Sequence, residues 1–142
     1  MRSRPAAFGA ACLALGAALI PVPAAAADPA QVSGDHLYVD HVAWAKWGDL
    51  SSLRVYPTDT ARALTHQPGS TAQADQAWVE VLTLSPDADL PGMREQFLCH
   101  WTFAELAEPG KTSWNLEPWR PEVASEVMLA SGCNPGGSEE PF

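Results

Sequence analysis

Gln96-Phe97-Leu98-Cys99-His100-Trp101-Thr102-Phe103 is the stretch on which the reading of the fold turns. Phe97, Cys99, Trp101 and Phe103 occupy its odd positions, and Gln96, Leu98, His100 and Thr102 its even ones. Strand side chains alternate between two faces, so the pattern predicts a strand whose odd side is buried. Downstream, Glu108-Pro109-Gly110-Lys111 marks a turn, after which Thr112, Trp114 and Leu116 alternate against Ser113, Asn115 and Glu117. The expectation is a β-hairpin in which 112–117 returns along 96–103. Matching the apolar faces also brings the polar faces together, which sets His100 near Asn115 with Glu117 or Ser113 as a diagonal neighbour.

Upstream, Leu37 to Trp47 alternates as well and predicts a strand with Leu37, Val39, His41, Ala43, Ala45 and Trp47 inward. Gly48-Asp49 is a turn signal, and Leu50 to Tyr56 returns as a second strand stopped by Pro57. Thr58 or Asp59 can cap a short helical turn over Thr60 to Leu64. Ala74, Ala77, Trp78, Val81 and Leu82 recur at spacings of three and four behind Ser70 or Thr71, which predicts an amphipathic helix ending before Pro86. Beyond the second hairpin, Pro118 and Pro121 bracket Trp119-Arg120 in a rigid extended link. Pro121 suits the first position of a last helix through Ala130, with Val123, Val127 and either Met128 or Ala130 inward and Gly132 just past its end. The order strand, strand, helix, strand, strand, helix (ββαββα) predicts an α+β domain, an antiparallel sheet of two hairpins with two helices packed on one face.

The N-terminus begins with Arg2 and Arg4, continues through an apolar stretch from Ala6 to Ile20, and ends in the alanine run Ala24 to Ala27. Basic start, short apolar middle and small-residue exit predict a secretory signal peptide over 1–27, cleaved after Ala27. The apolar stretch is shorter than the roughly 20 residues of a membrane-spanning helix, so no membrane anchor is expected after cleavage. A flexible leader over 28–36, a single domain over 37–135 and a disordered acidic tail over 136–142 complete the expected organisation. Cleavage removes Arg2 and Arg4 but none of the 17 acidic residues, making the exported chain still more acidic than the net −9 of the whole. Phosphates would be repelled at such a surface, which argues against nucleic acid and anionic membranes as partners. Two cysteines remain, Cys99 and Cys133, and in a chain that folds outside the reducing cytoplasm they are expected to form a disulfide.

Three blocks carry a resemblance: Gln96-Phe97-Leu98-Cys99-His100-Trp101, then Lys111-Thr112-Ser113-Trp114-Asn115-Leu116-Glu117-Pro118-Trp119-Arg120-Pro121, then Cys133-Asn134-Pro135. On these the chain resembles the secreted actinobacterial proteins grouped as domain of unknown function 2599, with weaker likeness back over the Val42 to Thr58 hairpin. The resemblance implies an exported one-domain protein and brings no catalytic residues with it.

Common enzyme signatures are missing: there is no H-E-x-x-H, no G-x-S-x-G and no phosphate-binding glycine loop. The four histidines show no i, i+2 or i, i+4 spacing and the acidic residues are scattered, so neither a metal site nor a cofactor is expected. Two readings of the polar cluster stand side by side. In one, His100, Asn115 and Glu117 form a general acid or base site with Arg120 as an anion clamp. In the other, His100 is a hydrogen-bonded structural histidine, and Glu117 and Arg120 form an ion pair that locks the proline link. His41, on the inward face of the first strand, is expected to be a core histidine, and Trp47, Trp78, Trp101 and Trp114 are expected to fill the core. Trp44, on the outer face of its strand, and Trp119, in the link, are candidates for binding an envelope or extracellular ligand or protein, with Arg120 beside them.

Overall fold

A computed structural model describes residues 36–138. The expected signal peptide, the leader except His36, and the tail beyond Ser138 lie outside the described residues. Strand β1 (Val39–Trp47) and strand β2 (Leu50–Pro57) lead into helix α1 (Asp59–Thr65) and helix α2 (Thr71–Leu84). A single 3-10 turn (Pro86–Ala88) precedes helix α3 (Met93–Ala107), followed by strand β3 (Trp114–Leu116) and helix α4 (Ser125–Ala130). The class is α+β, with one three-stranded antiparallel sheet in the order β1-β2-β3 and four α-helices among the described residues.

The first half follows the sequence expectation closely. Trp47 pairs with Leu50 across the Gly48-Asp49 turn, where Gly48 takes the left-handed φ of 57°. The Thr58 hydroxyl caps α1 by accepting from the amide of Ala61. Helix α2 buries Ala74, Ala77, Trp78 and Val81, as its spacing required.

The second half departs from it. The stretch 96–103 is not a strand but the middle of α3, so the second hairpin does not form and the element order is not ββαββα. Buried positions on α3 run Met93, Gln96, Phe97, His100, Trp101, Ala104 and Glu105, the i, i+3, i+4 signature of a helix face, with Cys99 buried against α4. Apolar residues at the four odd positions 97, 99, 101 and 103 made eight residues look alternating, and three of the helix's buried side chains, Gln96, His100 and Glu105, are polar or charged, so hydropathy concealed the longer period. Strand β3 pairs instead with β2: Leu53 faces Leu116, Arg54 faces Asn115 and Val55 faces Trp114. The last helix is shorter than expected, beginning at Ser125. It buries Met128 and leaves Val127 half exposed. The link is not the extended segment expected: the chain turns at 118–119, where the Arg120 amide donates to Glu117 O at 3.2 Å, and the helix starts only beyond Pro121.

An irregularity between Val39 and His41 inserts Asp40 into β1 and reverses which side chains face the helices. Past that bulge Val42 and Trp44 sit opposite the buried Val55 and Leu53, on the core side. His41, expected in the core, is exposed and stacks on Tyr56 with ring centroids 3.9 Å apart. Trp47, also expected inward, is 55% exposed. The core is aromatic. Phe97, Trp101 and Trp114 lie within 6.0 to 6.3 Å of one another, Tyr38 meets Trp101 edge-on at 5.8 Å, and Trp78 lies 5.6 Å from Phe97. At the entry to β1, the buried Glu80 carboxylate of α2 accepts the amides of Leu37, Tyr38 and Val39 at 3.1, 2.8 and 2.9 Å.

Cys99 and Cys133 form the expected disulfide, with Cα atoms 5.6 Å apart across a separation of 34. Chain entropy gives such a loop roughly 3–4 kcal/mol of stabilisation. The bond ties the end of α4 to the middle of α3.

Candidate functional site

Register decides which backbone groups of each strand look outward. The two-residue turn makes Trp47 and Leu50 a hydrogen-bonded pair, and bonded pairs then alternate, so Ala45, Ala43 and His41 bond to β2. The odd residues of β2 bond to β3 in turn, which leaves the amides and carbonyls of Asn115 and Glu117 pointing away from the sheet.

Helix α3 lies along that outward edge and meets it with side chains. Gln96 Nε2 donates to Glu117 O and Gln96 Oε1 accepts from Glu117 N, both at 2.9 Å. His100 Nε2 is 2.9 Å from Asn115 O. A carbonyl only accepts, so this nitrogen carries the proton. Four residues of helix rise about 6 Å and two residues of strand span about 6.6 Å, so Gln96 and His100 match Glu117 and Asn115 in step.

The candidate cluster is therefore brought together, but through backbone. His100 is 4% exposed and meets the carbonyl of Asn115, whose side-chain Oδ1 accepts from the Ser113 hydroxyl at 2.8 Å. The Glu117 carboxylate accepts from Ser52 Oγ at 2.9 Å and from Arg120 Nε at 2.7 Å. Arg120 is buried with it and donates further to the carbonyls of Pro135 at 3.2 Å, Gly137 at 2.8 Å and Ser138 at 3.1 Å. The guanidinium thus straps the beginning of the C-terminal tail against the link 118–121, and four of its hydrogen bonds are made inside the protein. The ion pair of the structural reading is present. Arg120 also lies 4.5 Å over the ring of the half-buried Trp119.

At the opposite edge of the sheet, no strand among the described residues pairs with the outer side of β1. The same register turns the amides and carbonyls of Val42, Trp44 and Lys46 outward, and among the described residues none of them bonds to an element other than β2. Trp44 sits on the core side of this edge, 36% exposed, its indole N–H donating to Ser85 Oγ at 3.0 Å. Ser85 in turn donates to Asp87. That hydrogen bond chiefly, opposed by desolvation and helped by a smaller contribution from Trp44, holds the Asp87 carboxyl below the usual carboxylate range. Trp47 stands on the other face at the end of the same strand.

The protein-family comparison matches residues 39–136 to a family described as "Protein of unknown function (DUF2599)". The chain belongs to the DUF2599 family. An uncharacterized protein of Mycobacterium tuberculosis (strain ATCC 25618 / H37Rv) is 62% identical to this DUF2599 chain over 104 residues, covering 73% of the chain and 70% of the relative. A Mycobacterium bovis protein, also uncharacterized, matches to the same extent. An uncharacterized protein of Mycobacterium leprae is 50% identical over 102 residues, covering 72% of the chain and 82% of the relative. No solved structure matches.

Among the described residues no group of three or more histidine, cysteine or acidic side chains could hold a metal, and no helix is long and apolar enough to cross a membrane. Gln96, Ser52, Glu80 and Trp47 were missed as contributors. The signal for Gln96 was its i, i+4 relation to His100 beside the parallel pair Phe97 and Trp101, visible once the segment is read as a helix.

Proposed function

We propose that this DUF2599 chain is an exported, non-catalytic interaction module of the cell envelope or exterior, and that the open edge of β1 takes an extended segment of a partner protein. One observation carries the reading: the two edges of the sheet are treated differently. Gln96 and His100 close the β3 edge, whereas Val42, Trp44 and Lys46 present outward hydrogen-bonding groups on a strand that carries the exposed Trp44 and Trp47. Edges without a binding role are usually blunted or covered, and strand addition is a recurring mode of peptide recognition. The partner surface is accordingly Trp44 with Trp47, in place of Trp44 with Trp119 and Arg120. Export is supported by the N-terminal pattern and by a disulfide of the kind that persists outside the cytoplasm.

A small hydrolase or transferase built on His100, Asn115 and Glu117 is the second reading. The buried hydrogen bonds of all three, which hold β3 and the proline link, weigh against it. Hydrogen exchange of the oxidised domain with an envelope protein fraction tests the preferred reading. Binding should slow exchange at the amides of Val42, Trp44 and Lys46, and protection confined to other segments would refute it.

A further inference from the structure

We propose that the cleft between α3 and α4 binds a small hydrophobic cation, an ammonium group carrying a short apolar chain. The site lies on other elements than the β1 edge and does not depend on the reading given above. The cleft measures about 240 Å³, and Leu98, Phe103, Val123, Met128 and Leu129 form its apolar wall. Small-molecule sites for drug-sized ligands span roughly 300–1,000 Å³, so this one suits something smaller. The disulfide half Cys99 also lines it, and the bond to Cys133 fixes α4 over α3, so the walls are held in place before any ligand arrives.

Charge selects the class of ligand. Glu95 is the one ionisable side chain in the lining and has no ion-pair partner among the described residues. Its neighbour Arg94 is engaged by Asp75 at 2.6 Å. Glu122 packs toward the N-terminal turn of α3 that carries Glu95, since a Cβ placed on Gly92 would lie 3.4 Å from Glu122 Cγ. An ammonium finds its counter-charge at this end of the cleft while its chain lies on Leu98 and Leu129. The net charge of −9 adds a long-range attraction for cations and repels carboxylates.

The test titrates the oxidised domain at low salt with octylammonium, 1-octanol and octanoate, each below its micellar concentration, while amide chemical shifts are followed. Octylammonium should bind saturably with shifts centred on Leu98, Met128 and Leu129, roughly 2- to 5-fold more tightly than octanol, and octanoate should bind least. Glu95→Gln, an exposed change that leaves the core intact, should reduce octylammonium to the affinity of octanol, and high salt should do the same. Leu129→Ser should weaken the two ligands that bind the wall. Octanoate binding as tightly as octylammonium, shifts centred elsewhere, or no saturation would overturn the assignment. So would sedimentation showing that a second copy of the chain occupies the cleft and excludes octylammonium.

Discussion

Gln96 and Glu117 are joined by two hydrogen bonds of 2.9 Å, in which a side-chain amide takes the place that a peptide group of a fourth strand would fill. Without it the Glu117 amide would be buried with no partner at the edge of a three-residue strand, while the Glu117 carbonyl would keep only the Arg120 amide at 3.2 Å. One helical turn further along, His100 meets the Asn115 carbonyl of the same edge. These contacts explain why polar residues occupy the face of α3 that packs on the sheet.

Gln96→Met keeps the volume but removes both hydrogen bonds. It should destabilise the domain by about 1–3 kcal/mol, the cost of leaving one buried backbone group, the Glu117 amide, unsatisfied, since Glu117 O keeps the Arg120 amide. Urea unfolding measures this, and a loss under 0.5 kcal/mol would show that the edge is held by packing alone.

His100 separates the two functional readings. As an edge-holding residue it should cost about 1–3 kcal/mol when replaced by alanine, with His100→Gln recovering part of the loss by donating to Asn115 O. A catalytic histidine would instead be removable with little change in melting temperature.

Arg120→Met leaves the Glu117 carboxylate buried without its cation and frees the carbonyls of Pro135, Gly137 and Ser138. Breaking one side of a buried pair typically costs about 3–5 kcal/mol. The double variant Glu117→Gln with Arg120→Met should cost less than the sum of the singles. Hydrogen exchange should show 135–138 loosening first.

The Trp44, Ser85 and Asp87 relay predicts a pH effect with a definite sign. Asp87 is held below its ordinary value, so its hydrogen bond contributes stability that is full above the unfolded carboxyl range near 3.9. That contribution fades as pH falls through the lowered folded value. Ser85→Ala should raise the Asp87 titration midpoint by NMR, and Trp44→Phe should raise it by less; an unchanged midpoint in Ser85→Ala would remove the relay.

Reducing the Cys99–Cys133 disulfide should lower stability by roughly 3–4 kcal/mol. Chemical-shift changes should concentrate on α4 and the cleft wall at Leu98 and Met128, because the sheet and α2 do not depend on the bond.

Local signals carried the first half of the fold. Gly48-Asp49 between two apolar strands set the first hairpin, Thr58 set the start of α1, and the spacing of Ala74, Ala77, Trp78 and Val81 set α2, because each is decided by residues within one or two turns of chain. One inserted residue, Asp40, was enough to move His41 and Trp47 outward and Trp44 onto the core side, since strand parity has no tolerance for an extra residue.

Composition and pattern by themselves determined an α+β domain, a disulfide between Cys99 and Cys133, and the family to which the chain belongs. The tertiary structure alone decided that 96–103 is a helix laid along β3, and that the His100, Asn115 and Glu117 cluster is joined through backbone. The reason is that Gln96 and His100 are buried polar groups whose partners lie 21 and 15 positions away, and a buried polar side chain is intelligible only once its hydrogen-bond partner is in place.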